Sequence, residues 1–177
     1  MTTTRFTISF VLLSVLIISS LSLAQEGTYV WNEITSPALE GNLIGDPATR
    51  PFVVYLPPGY ETSTKRYPVF YYLHGYTQRV EEPLGMRTQL DRMIANGETG
   101  EMIGVAVDAS NRFRGSWYLS SATIGDYETY ITRDIVEYVD THYRTMPERE
   151  SRGITGYSMG GGGAMHLGLT FPDVFQL

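Results

Sequence analysis

The stretch Arg152-Gly153-Ile154-Thr155-Gly156-Tyr157-Ser158-Met159-Gly160, running on through Ala164-Met165-His166-Leu167, decides how the rest of the chain is read. Arg152–Tyr157 suits a short strand, Gly160–Leu169 reads as a helix, and at their junction lies Gly-x-Ser-x-Gly. Matches of this length arise by chance, and a glycine-rich turn with a surface serine would look the same. The flanks argue for more. A strand that turns sharply into a helix needs residues without Cβ on both sides of the tip, and Gly156 and Gly160 supply them. Ser158 then stands at the tip with its hydroxyl exposed. The Met159 N–H, in the first helical turn, is placed to stabilise an oxyanion beside it.

Outward from this point, strands alternate with helices. Tyr29–Thr35, Asn42–Ile44 and Arg50–Leu56 read as strands, the last closed by Pro57-Pro58-Gly59 because proline cannot donate to a ladder. Pro68–Leu73 and Met102–Val107 are apolar runs too short for helices, the pattern of strands buried on both faces. Leu84–Asn96 has helical spacing, with Gly97 as its terminating glycine. Asp126–Tyr143 is the clearest helix, with Tyr127, Ile131, Ile135, Tyr138, Val139 and His142 on one stripe. The alternation predicts an α/β fold, a mostly parallel twisted sheet with helices on both faces.

The loop leaving Pro68–Leu73 is Leu73-His74-Gly75-Tyr76. Ligands of open α/β sheets bind beyond the C-terminal ends of the strands. This loop is therefore placed to bring a second oxyanion donor, the Tyr76 N–H, towards Ser158. His74 is a poor general base, since in a His-Gly turn the backbone does the work and the ring is structural or lines the cleft. Trp117, Tyr118, Tyr76 and Phe113 could form an aromatic wall for a sugar or phenolic group, although aromatics at this density are more often core.

Composition narrows the classes. Of the 177 residues, the first 24 read as a signal peptide: Arg5, the apolar Phe10–Ile18, then Ser22-Leu23-Ala24 at the cleavage positions. A stable membrane anchor is not expected, because serines interrupt a stretch already short of the ~20 apolar residues a span needs. Residues 25–177 read as the N-terminal part of a single domain, expected outside the cell or in the periplasm. The formal charge is −6, and the 13 basic residues are scattered, so the basic patch of a nucleic-acid binder is missing. The absence of cysteine excludes disulfides, thiolate metal sites and a cysteine nucleophile.

Several blocks in order carry a resemblance: Tyr55-Leu56-Pro57-Pro58-Gly59-Tyr60, Tyr67-Pro68-Val69 through His74-Gly75, Tyr138-Val139-Asp140 with His142-Tyr143-Arg144, and Gly156-Tyr157-Ser158-Met159-Gly160-Gly161. Over almost all of residues 28–175 the chain resembles an esterase family of the α/β-hydrolases. That family holds feruloyl and acetyl-xylan-type carbohydrate esterases, S-formylglutathione hydrolase and the mycobacterial mycolyltransferases. Gly115-Ser116-Trp117-Tyr118, followed by Ser120-Ser121, resembles a loop near the active site of secreted bacterial members. The resemblance implies an α/β-hydrolase fold and a secreted serine carboxylic ester hydrolase without metal or cofactor. It also implies a small-molecule or carbohydrate ester as substrate, with acyl esters of carbohydrates or phenolic acids foremost. Ser158 would be the nucleophile, with the Met159 and Tyr76 amides as oxyanion hole and His74, Trp117 and Tyr118 at the substrate pocket. An acyltransferase of the same chemistry and a non-catalytic hydrolase-like binding module are the alternatives.

In this fold the triad runs Ser, then Asp or Glu, then His. After Ser158 the chain offers only His166 and Asp173. Eight helical residues put His166 about 12 Å along the axis from Ser158. His142 is expected as a buried, hydrogen-bonded core histidine, and Asp173 as a capping or surface residue. Phe171–Leu177 reads as the entry to a further core strand. The expectation is a C-terminally truncated domain, inactive as given because it lacks the acid and histidine of the triad.

Overall fold

A computed structural model describes residues 26–80 and 85–176, so the leader expected over residues 1–24, and Leu84, lie outside the described residues. Apolar runs with β-branched and aromatic residues form β1 (Thr28–Thr35), β2 (Thr49–Leu56), β3 (Val69–Leu73), β4 (Ile103–Val107) and β7 (Arg152–Gly156). A two-residue hairpin, β5 (Ser120–Ser121) and β6 (Gly125–Asp126), stands apart from them. The sheet order is β1-β2-β4-β3-β7. In this sheet β2 alone runs against the direction of the other strands: it pairs antiparallel with β1 and β4, while β4, β3 and β7 pair in parallel, so the sheet is mixed in pairing and mostly parallel in direction.

Helices cover both faces. On one, Met86 and Leu90 of α1 (Met86–Ala95) pack over Val53, Tyr55 and Ala106. On the other, Phe52, Val54, Tyr71 and Val105 lie under a long helix and under α4 (Met159–Thr170). The long helix begins as α2 (Tyr127–Thr129), widens into a π-helical turn (Tyr130–Ile135) and ends as α3 (Val136–His142). Its buried Tyr127, Ile131, Ile135 and Val139 recur every four residues. On a 3.6-residue helix such a repeat drifts by about 40° per step, and the wider π turn takes up the drift.

Two expectations are corrected. Asn42–Ile44 is a turn: the Asn42 side chain donates to Leu39 O and Asp46 O, both at 2.8 Å, and accepts from Asp46 N at 2.9 Å. The Asn42 side chain thus closes the turn on itself, as short polar side chains commonly do, while Leu43 N and Ile44 N donate to Ala122 O and Thr123 O at 3.3 and 3.2 Å. His142 is exposed, stacked on Tyr138 at 3.9 Å between centroids, with Nδ1 2.8 Å from Tyr138 O.

At the end of the sheet away from the elbow, buried Arg152 donates to Asp140 Oδ2 (2.6 Å), Pro147 O (2.8 Å) and Val174 O (3.0 Å). One guanidinium thus ties β7 to α3 and to the segment after α4. Phe175 is buried against Tyr71, and Gln176 N donates to Arg152 O at 2.9 Å in a parallel bridge beside Gly153. Asp140→Asn should therefore cost about 1.5–3 kcal/mol, the worth of a hydrogen bond to a charged group. Urea denaturation of the full-length protein reads this directly, and a change below about 0.5 kcal/mol would be the value of an ordinary surface site.

Candidate active site

Ser158 occupies the elbow between β7 and α4 with φ 53° and ψ −116°, a conformation non-glycine residues rarely adopt. Close approach to the end of β3 demands both glycines of the motif. A Cβ on Gly156 would lie 2.4 Å from Gly160 C and O, and one on Gly160 only 1.9 Å from Leu73 O. Tyr157 N donates to Leu73 O at 3.1 Å and Gly160 N to Tyr157 O at 2.8 Å, so the tip is held by its own backbone and by β3. The side chain of Ser158 is exposed and has no hydrogen-bond partner among the described residues. Met159 N sits in the first turn of α4, where N–H groups lack helical acceptors.

The glycines that follow are not equivalent. A Cβ on Gly163 would meet the Tyr118 ring at 2.3 Å, whereas Gly162 faces open space. Gly162→Ala should stabilise the full-length protein by about 0.5–1 kcal/mol, since it removes only backbone freedom within a helix. Thermal or urea denaturation checks this, and a destabilised variant would contradict the open surroundings seen at this position.

The loop after β3 is fixed atom by atom. Leu73 O accepts from Tyr157 N, and His74 O accepts from the Tyr118 hydroxyl at 2.7 Å. Gly75 N donates to Gln78 Oε1 at 2.7 Å, Gln78 N to Gly75 O at 3.2 Å and Thr77 N to Arg114 O at 2.9 Å. Among the described residues, the Tyr76 N–H alone in this run from Gly75 to Gln78 has no protein acceptor.

His74 is 4% exposed, with Nδ1 2.9 Å from Gly75 O and Nε2 accepting from Ala109 N at 3.0 Å. These partners assign the neutral tautomer with the proton on Nδ1. The ring therefore ties the loop after β3 to the loop after β4. Asp108 Oδ1 lies 3.6 Å from Nε2. Burial works against the Asp108 charge, but hydrogen bonds from the Ser110 hydroxyl and amide help hold the carboxyl below its ordinary range.

The structure changes the reading of the pocket residues. His74 and Tyr118 are both interior, Tyr118 with no exposed surface, so neither ring can line a cleft. Trp117 is 58% exposed and stands beside Tyr76, ring centroids 6.3 Å apart, with Phe113 also exposed. Thr77, Arg114, Trp117, Tyr118 and Ser158 are the non-glycine residues with positive φ among the described ones. All belong to these two loops and the elbow, where backbone strain typically gathers at functional sites.

None of the three histidines meets Ser158. His74 is held inside, His142 stacks on Tyr138, and His166 Nε2 lies 2.6 Å from Glu128 Oε1. Asp173 is exposed. Sequence reasoning missed Gln78 and Asp108. Nothing local marks Gln78, but Asp108 follows β4 as His74 follows β3, and that shared position was the available signal. Among the described residues no group of three or more acidic or histidine side chains could hold a metal ion, and no helix is long and apolar enough to cross a membrane.

A family model described as "Putative esterase" matches residues 47–177, from just before β2 through the elbow. The chain is 29% identical over 158 residues to the S-formylglutathione hydrolase of Paracoccus denitrificans, covering 75% of this chain and half of that protein. It is 30% identical over 133 residues to an endo-1,4-beta-xylanase/feruloyl esterase of Xylanibacter ruminicola, covering 69% of this chain and 18% of that one. A solved ferulic acid esterase superposes with a TM-score of 0.73 at 29% identity, covering 85% of this chain and 58% of its own. The chain thus spans about half the length of the hydrolase, and less of the xylanase. By this match and by its sheet, the chain belongs to the esterase family so described and has the α/β-hydrolase fold.

Proposed function

We propose that the full-length protein is an exported serine hydrolase of carboxylic esters in which Ser158 is the nucleophile. The observation that carries this is the elbow itself: an exposed, strained serine at the start of α4, with the unengaged Tyr76 amide on the neighbouring loop. Ser158 Oγ bonds to the acyl carbon, and the Met159 and Tyr76 N–H groups take the charge that develops on the carbonyl oxygen. The alcohol leaves with the serine's proton, and water then releases the acid. The proton needs a base, and the three histidines are engaged elsewhere. The proposal assigns neither the base nor the acid that orients it to any of the described residues. Export rests on the character of residues 1–24.

For substrate we propose acyl esters of carbohydrates or phenolic acids. The exposed rings of Tyr76, Trp117 and Phe113 support this, as does the feruloyl esterase among the relatives. The test is to treat the full-length protein with a fluorophosphonate probe, map the labelled peptide, and assay methyl ferulate beside p-nitrophenyl acetate. Label on Ser158 with turnover of both esters is expected. Label elsewhere, or none, would overturn the nucleophile, and turnover of the acetate alone would overturn the substrate class.

A further inference from the structure

Tyr118 joins the two halves of the site without facing a substrate. Its ring backs directly onto α4, where a Cβ on Gly163 would meet ring atoms Cδ2 and Cγ at 2.3 and 2.6 Å. Its hydroxyl, at the other end, donates to His74 O at 2.7 Å. His74 O in turn lies against the elbow, 2.7 Å from where a Cβ on Gly160 would be. The peptide that this bond orients leads into Gly75 and the Tyr76 amide. No exposed surface remains on Tyr118, and it adopts φ 59° to reach this place. A buried hydroxyl held in place against the strain of a positive φ has its position over-determined by what surrounds it.

We propose that Tyr118 is a positioning residue: a rigid strut that sets the separation between Ser158 on the elbow and the Tyr76 N–H on the loop after β3. The proposal rests on the ester-hydrolase reading above. Tyr157 N holds Leu73 O at the root of that loop, and Ala109 N and Arg114 O hold it to the loop after β4, but the Tyr118 hydroxyl alone grips the His74 carbonyl, from a ring seated on the nucleophile helix. Losing the hydroxyl leaves the ring on Gly163 and frees the loop by a fraction of an ångström. That is enough to lengthen one oxyanion hydrogen bond while the ground-state complex is little changed.

The test uses Tyr118→Phe in the full-length protein, with p-nitrophenyl acetate turnover and the rate of fluorophosphonate labelling as paired readouts. A fall in kcat of about tenfold is expected, with KM within about twofold, labelling slowed in proportion, and a cooperative melt retained. Gly163→Ala pushes the same ring from its other end and should lower kcat likewise with the hydroxyl still present. Wild-type kcat and labelling in Tyr118→Phe would overturn the strut, as would a loss that merely follows the unfolded fraction. If the wild-type protein neither labels nor turns over ester, the hydrolase reading fails and the strut with it. If the wild type labels at Ser158 and Tyr118→Phe labels equally fast, the strut alone fails.

Discussion

Ser158→Ala is expected to lower kcat of the full-length protein on a small activated ester by on the order of 10⁶-fold and to leave its Tm nearly unchanged. On the proposed mechanism the size follows from removing the atom that bonds to the acyl carbon, while binding and the proposed oxyanion donors stay. The stability expectation follows from exposure: the Ser158 hydroxyl has no partner among the described residues, so nothing is lost from the folded state. Alanine keeps the Cβ, so the strained φ of 53° costs the same in both proteins. Steady-state kinetics with a thermal melt on each protein decides the matter. Residual turnover within tenfold of wild type would move the nucleophile elsewhere.

The second large effect separates backbone from side chain at Tyr76. Tyr76→Pro removes the amide hydrogen and should cost about 10²–10³ in kcat, or about 2.7–4 kcal/mol, the usual toll for one oxyanion donor. Tyr76 does not have positive φ, so the sign of φ does not exclude proline there. Tyr76→Leu keeps the N–H and loses the ring beside Trp117. It should retain most of kcat on p-nitrophenyl acetate. Equal damage from Leu and Pro in folded proteins would assign the function to the phenol ring instead.

The elbow could be read from sequence because its requirement is steric and local: two glycines, Gly156 and Gly160, each two residues from Ser158, between a strand pattern and a helix pattern. The close approach of Gly160 to Leu73 O is the tertiary reason behind that spelling. The alternation of strands and helices was equally readable, since apolar runs such as Ile103–Val107, buried at every position, have few other uses. The pocket was harder. Which of two adjacent aromatics turns inward at Trp117-Tyr118 depends on positive φ at both, and no side-chain pattern encodes that in non-glycine residues. His142 was misjudged for a different reason. The π turn absorbs one residue, which rotates everything after it by about 100° relative to an unbroken α-helix and carries His142 off the buried stripe.

That same turn bears on how the chain can vary in length. Deleting a residue from an ordinary stretch of helix swings all that follows around the axis, so that Val139 would leave the core and Asp140 would lose Arg152. Between Tyr130 and Ile135 the arithmetic differs, because the surplus residue is already stored in the widened turn. Removing one there lets the helix relax to a uniform pitch while both ends keep their phase. Six residues in the middle of a packed helix are thus a place where a gap in an alignment can open or close and leave the core on either side undisturbed.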